Sequence, residues 1–343
     1  ARTIAYCVSS ISLIMWVFLS LIILIAYNLI EIDIDSRVYA LLPLAGFLTV
    51  FSQTFLFLDQ RSENFTKSGL VEVLNKLSNN LFVISASPYD KSSFILSLGT
   101  CLGFLVKSIL FQPKMRKIFL PNKNVFYVFF RIIKEGFYFK RLLFLSISDV
   151  LLSVVRVAPI LYISYAYGES SAGQFGLVTA AIIFPTVIFG RAVGQVFYQK
   201  AASKYNNSED ISVLFLSSIL YLSLVGACGY SILAIFGKEI FSIFFGSDWV
   251  DAGKLAQIYA FAGWVSFVSI PFERVALVVN AWWYTPTWYL FRLSTTLIVI
   301  SLGHLYGWSF ELFVSLLSIQ VALCHFIDLI FSYYFCRKRW SSK

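Results

Sequence analysis

The chain has 343 residues, 59% of them hydrophobic and 13% charged, and its mean hydropathy is +0.78. Soluble domains average about 45–50% apolar and about 25% charged residues, so this composition excludes an ordinary soluble globule. A net charge of +9 points in a soluble chain to nucleic acid or an acidic partner. In a membrane protein the same excess collects in cytoplasmic loops, so position has to decide between the two.

The apolar residues form runs of 18 or more, repeated along the chain. A spanning helix needs about 20 such residues, and outside closed barrels only a helix satisfies its backbone in hydrocarbon. The ~10-residue alternating segments of a barrel do not stand out. The pattern predicts an all-α polytopic membrane protein with about ten transmembrane helices. They cover 8–30, 38–58, 68–87, 92–112, 141–165, 171–198, 211–236, 252–281, 284–305 and 309–335. The first run is too long for a signal-peptide core and lacks a small-residue cleavage site. Residue 1 is Ala rather than Met, so the chain reads as starting partway through a longer protein.

The third segment is the most polar, with Glu72, Asn75, Lys76, Asn79 and Asn80. Glu72, Lys76 and Asn79 stand at i, i+4 and i+7, one helix face, and Glu72 precedes Lys76 in the favourable order for a helix pair. This is either a cavity-lining helix or a span made insertable by an internal salt bridge. In the fourth segment Lys107 reads as a snorkelling side chain. The 113–141 connection, PKMRKIFLPNKNVFYVFFRIIKEGFYFKR, mixes basic and aromatic residues. Its Phe126, Phe129, Phe130 and Ile133 suggest an amphipathic helix in the membrane interface. It divides the spans four before and six after, so two further helices at the front would complete a pair of equal repeats.

A charge at a helix centre costs about 2.5–3.5 kcal/mol on insertion scales and normally faces protein or a water-filled cavity. Segment five places Asp149 and Arg156 two turns apart on one face, with Arg156 near mid-span, beyond easy snorkelling. Arg156 is read as a substrate contact or a partner of a neighbouring helix. Segment six holds GRAVGQ at 190–195, where Gly190 and Gly194 permit close helix approach. Arg191 and Gln195 there share a face, and Pro185 opens the helix above them. Segment eight carries Pro271, Glu273 and Arg274, the last two about 100° apart on a helix. Arg292 in segment nine reads as another snorkelling side chain.

With the N-terminus inside, 17 of the 27 Lys and Arg residues fall on the cytoplasmic side, four outside and six within spans. That asymmetry predicts two cytoplasmic termini and removes any need for a nucleic-acid partner. NFT at 64–66 and NNS at 206–208 fall on the cytoplasmic side and read as chance. The cysteines Cys7, Cys101, Cys228, Cys324 and Cys336 lack metal or disulfide-framework spacing. The two histidines, His304 and His325, lie in late spans or at their edges. No P-loop, HExxH or GxSxG occurs, so neither an enzyme nor a cofactor or metal site is expected.

Three passages resemble the polysaccharide (O-antigen type) flippase family of the multidrug/oligosaccharidyl-lipid/polysaccharide exporter superfamily. They are LDQRSENFTKSGLVEVLNKL at 58–77, SAGQFGLVTAAIIFPTVIFGRAVGQVFYQKAA at 171–202 and IFFGSDWVDAGKLAQIYAFAGWVSFVSIPFERVALVVNA at 243–281. The resemblance implies two lobes joined by a cytoplasmic connector. Here the lobes would be 1–112, lacking its first two helices, and 141–343, with 113–140 between them. It further implies a cationic cavity for lipid-linked pyrophosphate, with Arg156 and Lys76 the best matches. Lys76, Asn79, Asn80, Arg156, Arg191, Gln195 and Arg274 are the expected cavity residues, and Glu72, Asp149 and Glu273 the expected ion-coupling carboxylates. The expected function is translocation of undecaprenyl-pyrophosphate-linked oligosaccharide across the bacterial inner membrane, for O-antigen, capsule or exopolysaccharide synthesis. Partners would be the lipid-linked cargo, membrane lipids, a polysaccharide polymerase and a chain-length regulator. The alternatives are a multidrug or cation exporter of the same superfamily and a membrane-embedded polysaccharide polymerase.

Overall fold

The computed structural model describes residues 41, 44–49, 51–52, 65–89, 92–110, 137–273 and 275–337. The expected span 8–30, most of 38–58, and the connector up to residue 136 lie outside the described residues. Every regular element among the described residues is helical. The chain divides into two compact units, 1–139 and 140–343.

In the first unit, α1 (Phe65–Ala86) packs on α2 (Ser93–Leu110). The contact is close because α2 presents Gly99 and Gly103 one turn apart. A Cβ at Gly103 would stand 2.5 Å from Asn75 Oδ1, and one at Gly99 2.7 Å from Asn79 Oδ1, the small-residue packing typical of helices in lipid. Lys107 departs from its snorkelling expectation. Its side chain is fully buried, and its ammonium donates to Glu72 Oε1 at 2.6 Å across the helix pair. The expected Glu72–Lys76 pairing is therefore replaced: Glu72 serves Lys107, and Lys76 is exposed. A buried ammonium needs a carboxylate, and Glu72 supplies it.

The second unit begins with α3 (Phe137–Tyr167) and α4 (Glu169–Pro185). A π turn over Thr186–Gly190 leads into α5 (Arg191–Asn206). Next come α6 (Ser212–Phe245), α7 (Val250–Ser269), a 3-10 turn at Ile270–Phe272 and the single-turn α8 (Val275–Val278). The chain continues through α9 (Tyr284–Tyr306) and α10 (Phe310–Arg337). Among the described residues five stretches are long and apolar enough to cross a membrane: Phe144–Tyr167, Ser212–Phe245, Ser247–Val278, Tyr284–Tyr306 and Phe310–Arg337. The protein is thus a helical membrane protein. The expected span 171–198 is instead interrupted at the π turn, and 252–281 breaks after Ser269.

At 34 residues, α6 is about 51 Å long at 1.5 Å per residue. It kinks at Phe236 (φ −110°, ψ 20°), where Gln257 on α7 donates its amide N–H to the Ile235 carbonyl at 2.8 Å. The α6–α7 contact is glycine-lined: a Cβ on Gly253 would meet Gly237 O at 2.5 Å, and one on Gly263 would meet Tyr230 Cε1 at 2.7 Å. The α9–α10 turn closes through Gly307, whose φ of 59° is the left-handed cap that glycine adopts without penalty.

Candidate functional site: a polar cavity where two broken helices cross

Two discontinuities meet in the second unit. Pro185 has no N–H to continue the α4 ladder, and Thr186 N–H turns back to Ile183 O rather than Ile182 O. The Ile182 carbonyl instead accepts the Tyr230 hydroxyl from α6 at 2.8 Å. Across from this π turn, α7 ends and the chain tightens through Pro271. Gly190 and Gly194 lie directly on that proline: a Cβ on Gly190 would be 3.4 Å from Pro271 Cγ, and one on Gly194 3.0 Å from Pro271 O. The close approach expected of this glycine pair is thus made to another break, not to a regular helix. Phe272 anchors the crossing, with its ring centroid 4.8 Å from Phe197 and 4.9 Å from Phe215.

A cavity of about 230 Å³ opens beside the crossing. Its apolar walls include Val155 and Pro159 of α3, Phe175 and Ile182 of α4, Tyr259 of α7 and Leu317 of α10. Its polar lining is Arg156, Thr179, Thr186, Ser266, Glu273, Arg292, Thr296, Gln320 and His325. Arg156, Arg292 and Gln320 fall near the middle of the apolar stretches Phe144–Tyr167, Tyr284–Tyr306 and Phe310–Arg337. Irregular backbone is tolerated at membrane depth where it lines such a cavity.

The electrostatics are uneven. Arg292 departs from its snorkelling expectation, being buried with Nη1 3.9 Å from Glu273 Oε1. The Tyr289 hydroxyl donates to Glu273 Oε2 at 3.1 Å. Arg156 is in no ion pair or hydrogen bond among the described residues. The Gln320 amide N–H groups donate to Thr295 Oγ1 at 2.8 Å and toward Thr296 Oγ1 at 3.4 Å. Gln320 Oε1 and His325 Nδ1 are buried without a partner among the described residues, and such atoms carry an energetic penalty that a bound group relieves.

Of the expected cavity residues, Arg156 lines this site, as does Glu273, which was expected to couple an ion. Lys76 and Asn80 are exposed on α1, and Asn79 packs against Gly99. Asp149 is exposed on α3 and is absent from the lining. The Arg191 and Gln195 side chains, and Arg274, lie outside the described residues. Sequence reasoning missed Arg292, Gln320 and His325. One signal was available: Ser318, His325, Asp328 and Ser332 are all buried and recur at heptad, i+3 and i+4 spacing on α10, a polar stripe on an otherwise apolar helix.

No protein-family model, curated protein or solved structure matches this chain. Fold and site together define a multi-span helical membrane protein with a polar cavity at interrupted helices.

Proposed function

We propose that this protein is a flippase for undecaprenyl-pyrophosphate-linked oligosaccharide in the bacterial inner membrane, working by alternating access in O-antigen, capsule or exopolysaccharide synthesis. The observation that carries the reading is Arg156, a guanidinium without a carboxylate partner among the described residues, sharing a mid-helix cavity with Arg292, His325 and Gln320. A guanidinium binds phosphate oxygens through paired N–H donors in a fixed fork, and low dielectric strengthens that attraction. Gln320, Thr179 and Ser266 are suited to sugar hydroxyls, while the polyprenyl tail stays in lipid. Discontinuous helices recur at transporter sites near the bilayer midplane, which supports a moving crossing of α4–α5 with the α7 break. No bond is made or broken, and the cargo passes to a polysaccharide polymerase and a chain-length regulator.

The second reading is a cation exporter of the same architecture, favoured by Glu273 in the cavity wall. Both are tested by restoring surface polysaccharide in a flippase-deleted bacterium with the full-length gene, alongside Arg156→Ala, Arg292→Ala and Lys76→Ala. Restoration by wild type and by Lys76→Ala, lost in both cavity variants at equal membrane levels, is expected. No restoration by a well-inserted wild-type protein in any suitable host overturns the flippase. Restoration surviving both cavity substitutions overturns the site.

A further inference from the structure

Beside the cavity lies a second polar cluster that the cargo reading leaves unused. Asp328 of α10 is 2% exposed. Its Oδ1 accepts the Tyr284 hydroxyl at 2.8 Å and its Oδ2 the Ser269 hydroxyl at 3.2 Å. Both partners are neutral, and Asp328 is in no ion pair among the described residues. Among the described residues the guanidinium near it is Arg292, which is 3.9 Å from Glu273 instead. Two carboxylates among the described residues thus stand beside one guanidinium at membrane depth, where an uncompensated charge is expensive.

The charged and titratable groups around Asp328 among the described residues are Glu273 after the α7 break, Tyr284, Tyr289 and Arg292 on α9, and Cys324 and His325 on its own helix; Arg274 lies outside the described residues. The α8 turn and Ile270–Phe272 contribute none. The charges of α6, Lys238 and Glu239, are both exposed. Ser269 is the last residue of α7, and Tyr284 is the first of α9. The carboxylate therefore ties three helices together at the break that floors the cavity.

We infer that Asp328 binds the coupling cation, a proton or a sodium ion, with Ser269 and Tyr284 as its hydroxyl partners. The inference rests on the transporter reading above and gives that transporter its energy input. A cation at Asp328 removes one of the two negative charges beside the cavity and so lowers the repulsion felt by an anion bound there. Loss of the cation restores that repulsion. Cation and anion then bind with positive coupling, which is necessarily reciprocal.

The test uses the full-length protein, purified in detergent without cargo. Its Tm is followed against sodium at fixed pH, and against pH at fixed sodium. Wild type is expected to show a cation-dependent Tm shift that Asp328→Asn loses and Glu72→Gln keeps, and whichever titration shows the loss identifies the ion. Wild-type dependence on both variables in Asp328→Asn overturns the inference. Should that variant not fold, Ser269→Ala/Tyr284→Phe retains the carboxylate but removes two donors to its charged form, so a proton titration is expected to move to higher pH, and a sodium titration, having lost two oxygen ligands, at least tenfold to higher concentration. An unmoved titration overturns the inference. Because no cargo is present, cation linkage that persists while complementation fails rejects the flippase alone.

Discussion

Replacing Gly253 by alanine is expected to loosen the second unit along the α6–α7 contact. The added Cβ would lie 2.5 Å from Gly237 O and 2.6 Å from Lys238 Cα, where ordinary contact is 3.4–4 Å. Both neighbours are backbone atoms, so no side-chain rotation relieves the clash and the helices must part by roughly 1 Å. A gap of about 0.5–1 Å forfeits a quarter to a half of the dispersion well for each affected atom pair. Overpacking of this kind costs about 1–3 kcal/mol, against a gain of about 0.5–1 kcal/mol from removing a helical glycine. The net expectation is a loss of up to about 2.5 kcal/mol. Gly229→Ala on α6 is the control, because nothing lies within 4 Å of its Cβ; its Tm should be unchanged or slightly raised. The assay is thermal unfolding of both variants in one detergent, followed by tryptophan fluorescence. A Gly253→Ala midpoint at or above wild type would refute the close helix approach.

In the first unit, Glu72→Gln leaves the Lys107 ammonium buried without a carboxylate. Breaking a fully buried pair costs about 3–5 kcal/mol. Glu72 retains 36% of its side-chain exposure, so a loss of up to about 3 kcal/mol is expected, largely recovered in Glu72→Gln/Lys107→Met. Equal Tm values for wild type and the single variant would show that Lys107 finds another partner. In the α5–α6 turn, Asp210 Oδ1 accepts the Ser212 N–H at 2.8 Å, and Oδ2 the Ser212 hydroxyl at 2.7 Å. Those bonds hold its carboxyl below the usual range, the backbone N–H contributing most. A lowered folded-state pKa gives stability that is present above the unfolded value of about 3.9 and disappears as pH falls through the folded one. The acid limb of Tm against pH should therefore be shallower in Asp210→Asn, and superimposable limbs would dismiss the turn as a contributor.

Parts of the site are legible in the sequence because they follow from position along one helix. Arg156 sits too far from either end of its span to reach water along its own stem, so a cavity or a partner is implied. Pro185 announces a broken ladder, and Gly190 with Gly194 announces a close neighbour. Lys107 and Arg292 were misread for the opposite reason. Snorkelling competes with ion pairing, and the winner depends on a carboxylate supplied from elsewhere: Glu72, 35 residues away, and Glu273 on the preceding break. The polar stripe through His325 and Asp328 is visible in the spacing, but which of its residues meets the cavity and which meets Tyr284 is not.

By itself, then, the sequence determined the solvent this chain inhabits, because apolar length and the cost of unsatisfied backbone leave few alternatives. It also determined where polar residues interrupt that length. Only the tertiary structure decided which of those residues are partners. Hydrogen bonds and ion pairs act over about 3–4 Å, and the groups they join here lie on different helices. Among the described residues Arg292 is engaged by Glu273 and Arg156 is not, because of the way α9 and α10 close against the break in α7.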